Sequence, residues 1–137
     1  KGDGIMKHLM LGFFGIFLLG CASMKTMESQ DISSAPSHVY RGNVETVAAA
    51  TANVIQGLGY NVEKVAPTAN GQSVYFSKSL SAFSWGEVGR VDVLSEDATS
   101  SRVVVGSEKR YQLQFTGTTQ NEFAEQIFGG LNKALAN

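Results

Sequence analysis

Two periodicities of apolar residues meet in the stretch Gly57-Leu58-Gly59-Tyr60-Asn61-Val62-Glu63-Lys64-Val65. Before it, apolar residues recur every three or four positions, as they do along one face of a helix. Gly59 supplies the left-handed position that commonly ends a helix. After it, Tyr60 and Val62 alternate with polar residues, as in a strand that is buried on one face. The stretch therefore predicts a helix followed directly by a strand.

The predicted helix begins after Asn43, a residue type that is favoured as an N-cap because its side chain accepts a hydrogen bond from the first turn. Small residues in the middle of its apolar face predict close packing on a sheet. The face consists of Val44, Val47, Ala48, Thr51, Val54, Ile55 and Leu58.

Further strands are predicted downstream of the strand that begins at Tyr60. Asn70-Gly71 is a strong turn signal, and the residues after it, 73–79, alternate again. Residues 91–94 and 102–105 are the next strands, with a polar turn at 95–101 between them. Gly106 in the middle of an alternating pattern predicts a β-bulge. A last alternation, at Tyr111, Leu113 and Phe115, is either a continuation of this strand or a new one.

A second amphipathic helix closes the chain. Thr118 or Thr119 would cap it. Gly129-Gly130 either weakens its middle or allows another backbone to come close. Its apolar stripe consists of Phe123, Ile127, Phe128, Leu131 and Leu135. The whole pattern predicts one α+β domain over residues 38–137, with an antiparallel sheet of three to five strands and an N-terminal and a C-terminal helix packed on one face.

The N-terminal residues have the pattern of a secretory signal peptide. Residues 9–20 carry no charge, and Met6 and Lys7 before them supply a start residue and a basic n-region. An apolar run of this length is shorter than the roughly 20 residues that a membrane-spanning helix needs. We therefore expect residues 1–20 to be a signal peptide, with residues 1–5 lying upstream of the true start at Met6.

The end of the apolar run, Leu18-Leu19-Gly20-Cys21, resembles the lipobox of bacterial lipoproteins. Leu19 is bulkier than the residue usual at its position. The resemblance implies that signal peptidase recognises Leu18, Leu19 and Gly20, and that the Cys21 thiol and the new amino group are acylated. Acyl chains contribute about 0.8 kcal/mol for each buried CH₂, so several chains anchor a protein firmly. Cys21 as an ordinary buried thiol, or residues 1–20 as an uncleaved anchor, are the alternatives.

The residues after Cys21 predict a location and a tether. Ala22 and Ser23 are not the Asp that retains enterobacterial lipoproteins in the inner membrane, so a Gram-negative host implies an outer-membrane lipoprotein facing the periplasm. Residues 24–37 are polar, rich in Ser and without periodicity, which predicts a flexible tether. Together with the lipidated Cys21, the segment 21–37 would join the domain to the cell envelope.

The layout after the tether resembles a class of small bacterial lipoproteins of unknown function, built as a helix, a sheet and a second helix. The resemblance rests on residues 57–62, Val91-Asp92-Val93, Glu122-Phe123-Ala124 and Ile127-Phe128. It covers most of the chain after the tether. It implies no catalytic residues.

Composition argues against several function classes. The chain has 11 basic and 12 acidic residues and a net charge of -1. A nucleic-acid binder typically has an excess of basic residues that form a positive surface patch. With one Cys and two His, of which only His38 follows the signal peptide, a zinc site lacks ligands. We expect no cofactor, no metal and no catalytic residue. The acidic pairs Glu96-Asp97 and Glu122 with Glu125 are better explained by a turn and a helix start than by a hydrolase cleft.

Aromatic residues provide the remaining candidate site. Tyr75, Phe83 and Trp85 lie in or beside an irregular stretch rich in Ser and Gly, 80–89, and such aromatics are favoured at binding surfaces. Packing in the core is the other explanation for them. We therefore expect a lipid-anchored, non-catalytic binding or structural domain that contacts another envelope protein. The alternatives are a periplasmic carrier of a small hydrophobic ligand and, more weakly, a carboxylate hydrolase.

Overall fold

A computed structural model of the 137-residue chain describes residues 27–78, 87–109 and 120–136. The chain divides into two compact units, Lys1–Gln30 and Asp31–Asn137. Of the first unit, the described residues form one helical turn at 27–29, and Met27 is buried. The second unit contains the sheet and two helices. The predicted signal peptide and Cys21 lie outside the described residues.

The second unit has the order strand, helix, four strands, helix. Its elements are β1 (Ser37–Arg41), α1 (Val44–Gly57), β2 (Asn61–Thr68), β3 (Gly71–Lys78), β4 (Glu87–Asp97), β5 (Ser100–Lys109) and α2 (Gln120–Ala134). The strands form one antiparallel sheet in the order β1-β5-β4-β3-β2. The α+β class and an antiparallel sheet within the expected size are confirmed. β1 was not predicted, and because it precedes α1 the unit does not begin with a helix.

The ends of α1 follow from local chemistry, as the sequence predicts. The Asn43 side chain accepts a hydrogen bond from the Thr46 N–H at 2.9 Å. Gly59 has a φ of 89°, the left-handed conformation that lets the chain turn out of the helix. Replacing such an N-cap by Ala typically costs about 1 kcal/mol. Both boundary signals therefore act where they stand in the sequence.

Both helices contribute to the core that lies on one face of the sheet. Three rings meet there: the Tyr60 and Phe123 centroids are 4.9 Å apart, and the Phe76 ring lies 5.7 Å from each of them. Tilted rings at these separations add favourable interactions to the buried area. Around them the core is filled by Tyr40, Val47, Ala48, Ile55, Val74, Val91, Val93, Val103, Val105, Ala124, Ile127, Phe128 and Leu131.

The strands are longer than the sequence predicts. The polar turn expected at 95–101 shrinks to Ala98-Thr99, because exposed polar residues continue the ladder on both sides of it. The bulge expected at Gly106 is wrong, since Gly106 pairs regularly with Arg90. The register shifts instead between Val62 and Lys64 and between Ser95 and Asp97. The alternation at Tyr111, Leu113 and Phe115 and the cap at Thr118 or Thr119 lie outside the described residues.

The folded unit begins earlier than the predicted boundary at residue 38. Ile32 is 4% exposed, and the Val105 N–H donates a hydrogen bond to the Pro36 carbonyl at 3.0 Å. Ser37 is already part of β1. Residues 31–37, expected in a flexible tether, are therefore held by the sheet, because one buried apolar side chain and a strand pairing offset their ordering entropy.

Candidate functional site

The predicted site residues are described only in part. Leu18, Leu19, Gly20 and Cys21 lie outside the described residues. So do Phe83 and Trp85, and lipidation and partner contact at these positions stay predictions. Tyr75 is described and lies in β3.

Tyr75 lies on the face of the sheet opposite α1 and α2, called the back face below. Its neighbours Val74 and Phe76 belong to the helix-side core, so alternation along β3 points Tyr75 the other way. Tyr75 is 7% exposed, and the Lys64 Nζ lies 4.9 Å from its ring centroid. That separation allows a cation–π interaction. The structure does not present Tyr75 on an open surface.

Beside Tyr75, three polar side chains on β3 and β4 form the cluster Ser73, Arg90 and Asp92. The Ser73 Oγ donates to Asp92 Oδ1 at 2.7 Å. The Arg90 Nη2 donates to Asp92 Oδ2 at 3.2 Å, and the Arg90 Nε lies 3.1 Å from Asp92 Oδ1. Arg90 is only 8% exposed, which is rare for an arginine. Desolvation makes the pairing necessary, because an uncompensated buried charge would be strongly destabilising.

A second polar contact on the back face depends on the β-bulge of β2. The register shift between Val62 and Lys64 leaves Glu63 as the extra residue of that strand. The Glu63 carboxylate accepts a short hydrogen bond from the Ser77 hydroxyl. Bulges re-aim side chains in this way. The bulge therefore brings Glu63 and Lys64 together beside β3.

The cluster Ser73, Arg90 and Asp92 was not singled out from the sequence, although a signal for it exists. Arg90 and Asp92 are two positions apart on a strand, so they share one face. The neighbouring Val91 and Val93 lie in the core on the other face. Charged residues that alternate with buried valines usually indicate a solvated face. The sequence does not show that this face is buried as well.

The cluster's chemistry is that of polar pairing. Both serine hydroxyls, on Ser73 and Ser77, donate to carboxylates, and this geometry by itself is not the nucleophile–base arrangement of a hydrolase. An arginine paired with a carboxylate can hold neighbouring side chains of a sheet in place, or it can recognise an anion. Among the residues that the structure describes, no three His, Cys, Asp or Glu side chains are grouped so that they could hold a metal ion.

The acidic pair Glu96 and Asp97 makes local hydrogen bonds at the β4–β5 turn. The Glu96 carboxylate accepts hydrogen bonds from the Arg102 Nε and Nη2, each at 3.0 Å, and this lowers the pKa of Glu96. The Asp97 carboxylate accepts a hydrogen bond from the Thr99 N–H at 2.9 Å, which lowers its pKa. A general acid needs a raised pKa, so the shifts run opposite to the requirement of a glycosidase. Glu122 and Glu125 of α2 are exposed.

His38 lies in the edge strand β1, on the helix side of the sheet. Its ring meets Phe128 of α2 edge-on, with 4.6 Å between the centroids. The Tyr40 hydroxyl donates to the Phe128 carbonyl oxygen at 3.3 Å, and burial raises the pKa of Tyr40 to about 12. These contacts dock the C-terminal helix on β1. His38 thus packs against the C-terminal helix.

No helix in the described ranges combines the length and the apolar character that a membrane crossing requires. No protein-family model matches the chain, and comparison with curated proteins gives no match either.

Proposed function

We propose that the chain is a lipid-anchored cell-envelope lipoprotein whose α+β domain binds or scaffolds and carries out no reaction. The observation that carries the proposal is the sequence Leu18-Leu19-Gly20-Cys21 at the end of an uncharged run. Acyl chains on Cys21 would fasten the mature protein to a bilayer. With Ala22 and Ser23 after the Cys, that bilayer is the outer membrane if the host is Gram-negative.

The hydrogen bonds of the back face support a non-catalytic domain. The hydroxyls of Ser73 and Ser77 are each bonded to a carboxylate of the sheet. The carboxylates of the β4–β5 turn have lowered pKa values because they accept hydrogen bonds. Groups of this kind hold strands together, and the lowered pKa values of Glu96 and Asp97 run opposite to the raised pKa that a general acid requires.

The packing of the helix side favours a binding surface over an internal carrier site. Rings from Tyr60, Phe76 and Phe123 pack against one another between the helices and the sheet. A carrier of a hydrophobic ligand needs an apolar cavity of a few hundred Å³. We propose that the partner is another envelope protein and that Phe83 and Trp85, in the stretch that follows β3, contact it.

Mass spectrometry of the N-terminal peptide tests the anchor. The full chain is expressed in a bacterium that processes lipoproteins and is purified from its membranes. The expected peptide begins at Cys21 and carries acyl chains. Cys21→Ser should leave an unprocessed chain, while Leu19→Ala, which restores a residue usual at that position, should be processed at least as completely as the wild type. An uncut leader or an unmodified Cys21 thiol in the wild type would refute the proposal.

Crosslinking in the native envelope tests the contact. The wild type should give a discrete crosslinked product that Trp85→Ala loses. Val39→Ala, at an exposed position on the edge strand β1, is the matched control and should keep the product. Equal capture by a folded Trp85→Ala variant would remove Trp85 from the contact.

A further inference from the structure

Residues 31–36, which precede β1, form a structured turn on the back face of the sheet; they are called the strap below. The Ser33 N–H donates to the Asp31 carboxylate at 2.9 Å, and the Ala35 N–H donates to the Ile32 carbonyl at 2.9 Å. The first contact is an Asx-turn and the second closes a β-turn. Hydrogen bonds from Ser33 also lower the pKa of Asp31, which agrees with this geometry.

The strap is held at two points of β5. A Cβ placed on Gly106 would lie 2.6 Å from the Cγ2 of Ile32 and 3.4 Å from its Cδ1, so Ile32 lies directly on the glycine. Val103 and Val105 belong to the helix-side core, which places Gly106 and Ile32 on the back face. The second point is the hydrogen bond from the Val105 N–H to the Pro36 carbonyl oxygen.

Gly106 leaves the space that Ile32 of the strap occupies. The expected bulge is not there, and the strand pairs regularly through Gly106. What the glycine provides is room, because any side chain at this position would occupy the space of Ile32. A glycine in a strand interior often marks such a close approach. Ile32, an apolar residue in an otherwise polar stretch, is the matching half of the contact.

We infer that the strap, through Ile32 on Gly106, sets how far the domain can move from its membrane anchor. This inference rests on the proposed lipidation of Cys21. With the strap in place, nine residues, 22–30, separate Cys21 from the domain. Even fully extended they reach only about 30 Å. Without the strap, the fifteen residues 22–36 would reach about 50 Å. The strap keeps the domain in the layer next to the bilayer, so its partner is a protein at that membrane surface.

The strap itself is tested by amide hydrogen exchange on the full, membrane-extracted chain. Ile32→Thr should speed exchange at the amides of Ala35 and Val105 by about tenfold, which corresponds to about 1.4 kcal/mol of local opening. Val39→Thr makes the same kind of change in an edge-strand residue that is 45% exposed, and it should leave the Ala35 amide unaffected. Equal exchange in Ile32→Thr and in the wild type would overturn the inference.

The reach is tested by energy transfer in phosphatidylcholine vesicles. Because Cys21 is the single Cys, a Gln56→Cys substitution on the exposed side of α1 offers one free thiol for a donor dye once Cys21 is acylated. Acceptor lipids are placed in the bilayer. Ile32→Thr should lower the transfer efficiency, whereas Val39→Thr should match the wild type.

Two failures are distinguishable. If Ile32→Thr speeds exchange but leaves the transfer unchanged on a lipidated chain, the strap does not set the reach and only this inference falls. If the purified chain carries no lipid and does not bind vesicles, the proposed function falls, and the inference falls with it. Faster exchange together with lower transfer supports both.

Discussion

Gly130 of α2 lies against Val54 of α1 so closely that a Cβ on the glycine would be 2.5 Å from the Val54 Cγ1. The two helices therefore meet at a position where only a hydrogen atom fits. The neighbouring Gly129 has open space, since its Cβ would meet nothing within 4 Å. A side chain at position 130 would therefore overlap α1, whereas one at position 129 would not.

We expect Gly130→Ala to destabilise the protein and Gly129→Ala to stabilise it. Gly130→Ala forces the stiff, β-branched side chain of Val54 to move, and overpacking of this kind costs about 1–3 kcal/mol. Gly129→Ala gains up to about 1 kcal/mol from helix propensity and creates no steric overlap. Urea denaturation of both variants measures the difference in the free energy of unfolding.

Val54→Ala supplies the control for the helix contact. It removes both Cγ atoms, so Gly130→Ala should cost little in that background. An equal loss in both backgrounds would mean that the helices do not meet at this point.

The contact of Ile32 with Gly106 predicts a coupling between strap and sheet. Gly106→Ala should cost about 1–3 kcal/mol in the wild type, because the new methyl group overlaps the Ile32 side chain. Ile32→Ala removes the overlapping atoms, so the same change should then cost about 1 kcal/mol less. A double-mutant cycle by urea denaturation measures this coupling, and additive effects would contradict the contact.

Local signals predict the helices and most strands, but two features of the sheet depend on distant residues. Asn43 and Gly59 set the ends of α1 by themselves. β1 has no such signal, because of its five residues only Tyr40 is buried, and its pairing partner β5 is some sixty residues away in sequence. An edge strand with one buried residue shows no clear alternation of apolar and polar residues.

The packing around a glycine is likewise not predictable from the sequence alone. The sequence predicts an irregular stretch over 80–89, yet Gly89 is part of β4. The Phe76 ring lies on Gly89, since a Cβ there would be 2.2 Å from the ring. The sequence shows a glycine at 89 and a phenylalanine at 76. Only the register of β3 and β4 shows that the ring needs the glycine.

The candidate site divides in the same way. The lipobox resemblance and the aromatics Phe83 and Trp85 are read from sequence neighbours and stay predictions. The cluster Ser73, Arg90 and Asp92 joins β3 and β4 through Ser73 and Asp92, which are nineteen positions apart, so its hydrogen bonds follow from strand pairing and from burial of the back face. A single sequence gives no measure of either.

The pair of buried Arg90 and partly buried Asp92 predicts an asymmetry between single and double substitutions. Asp92→Ala removes the carboxylate from both Arg90 and Ser73, and because the Asp92 side chain is 18% exposed the cost should be below the roughly 3–5 kcal/mol of a fully buried pair. Adding Arg90→Met replaces the buried charge with an apolar side chain of similar length, so the double variant should be more stable than Asp92→Ala. Thermal and urea unfolding of both variants test this. A double variant less stable than Asp92→Ala would mean that Arg90 is stabilised chiefly by groups other than Asp92.

Burial of Tyr40 predicts a loss of stability at alkaline pH. Its pKa rises from the ordinary 10.0 to about 12 because burial disfavours the phenolate. A group whose pKa is raised by folding stabilises the folded state fully below its unfolded pKa. That contribution is lost as the pH rises through about 10 to 12. Tyr40→Phe should remove this part of the pH dependence, measured as the free energy of unfolding at about pH 9 and about pH 11.

At neutral pH the same variant has a separate, smaller effect. Tyr40→Phe deletes the hydrogen bond to the Phe128 carbonyl oxygen, at a cost of about 0.5–1.5 kcal/mol. Spectrophotometric titration of the native protein gives an independent check, because one of its four tyrosines should ionise later than an ordinary phenol and be missing from the variant's curve. If wild type and variant lose stability in parallel above about pH 10, another group is responsible, and the Tyr40 hydroxyl is not desolvated as its position between β1 and α2 implies.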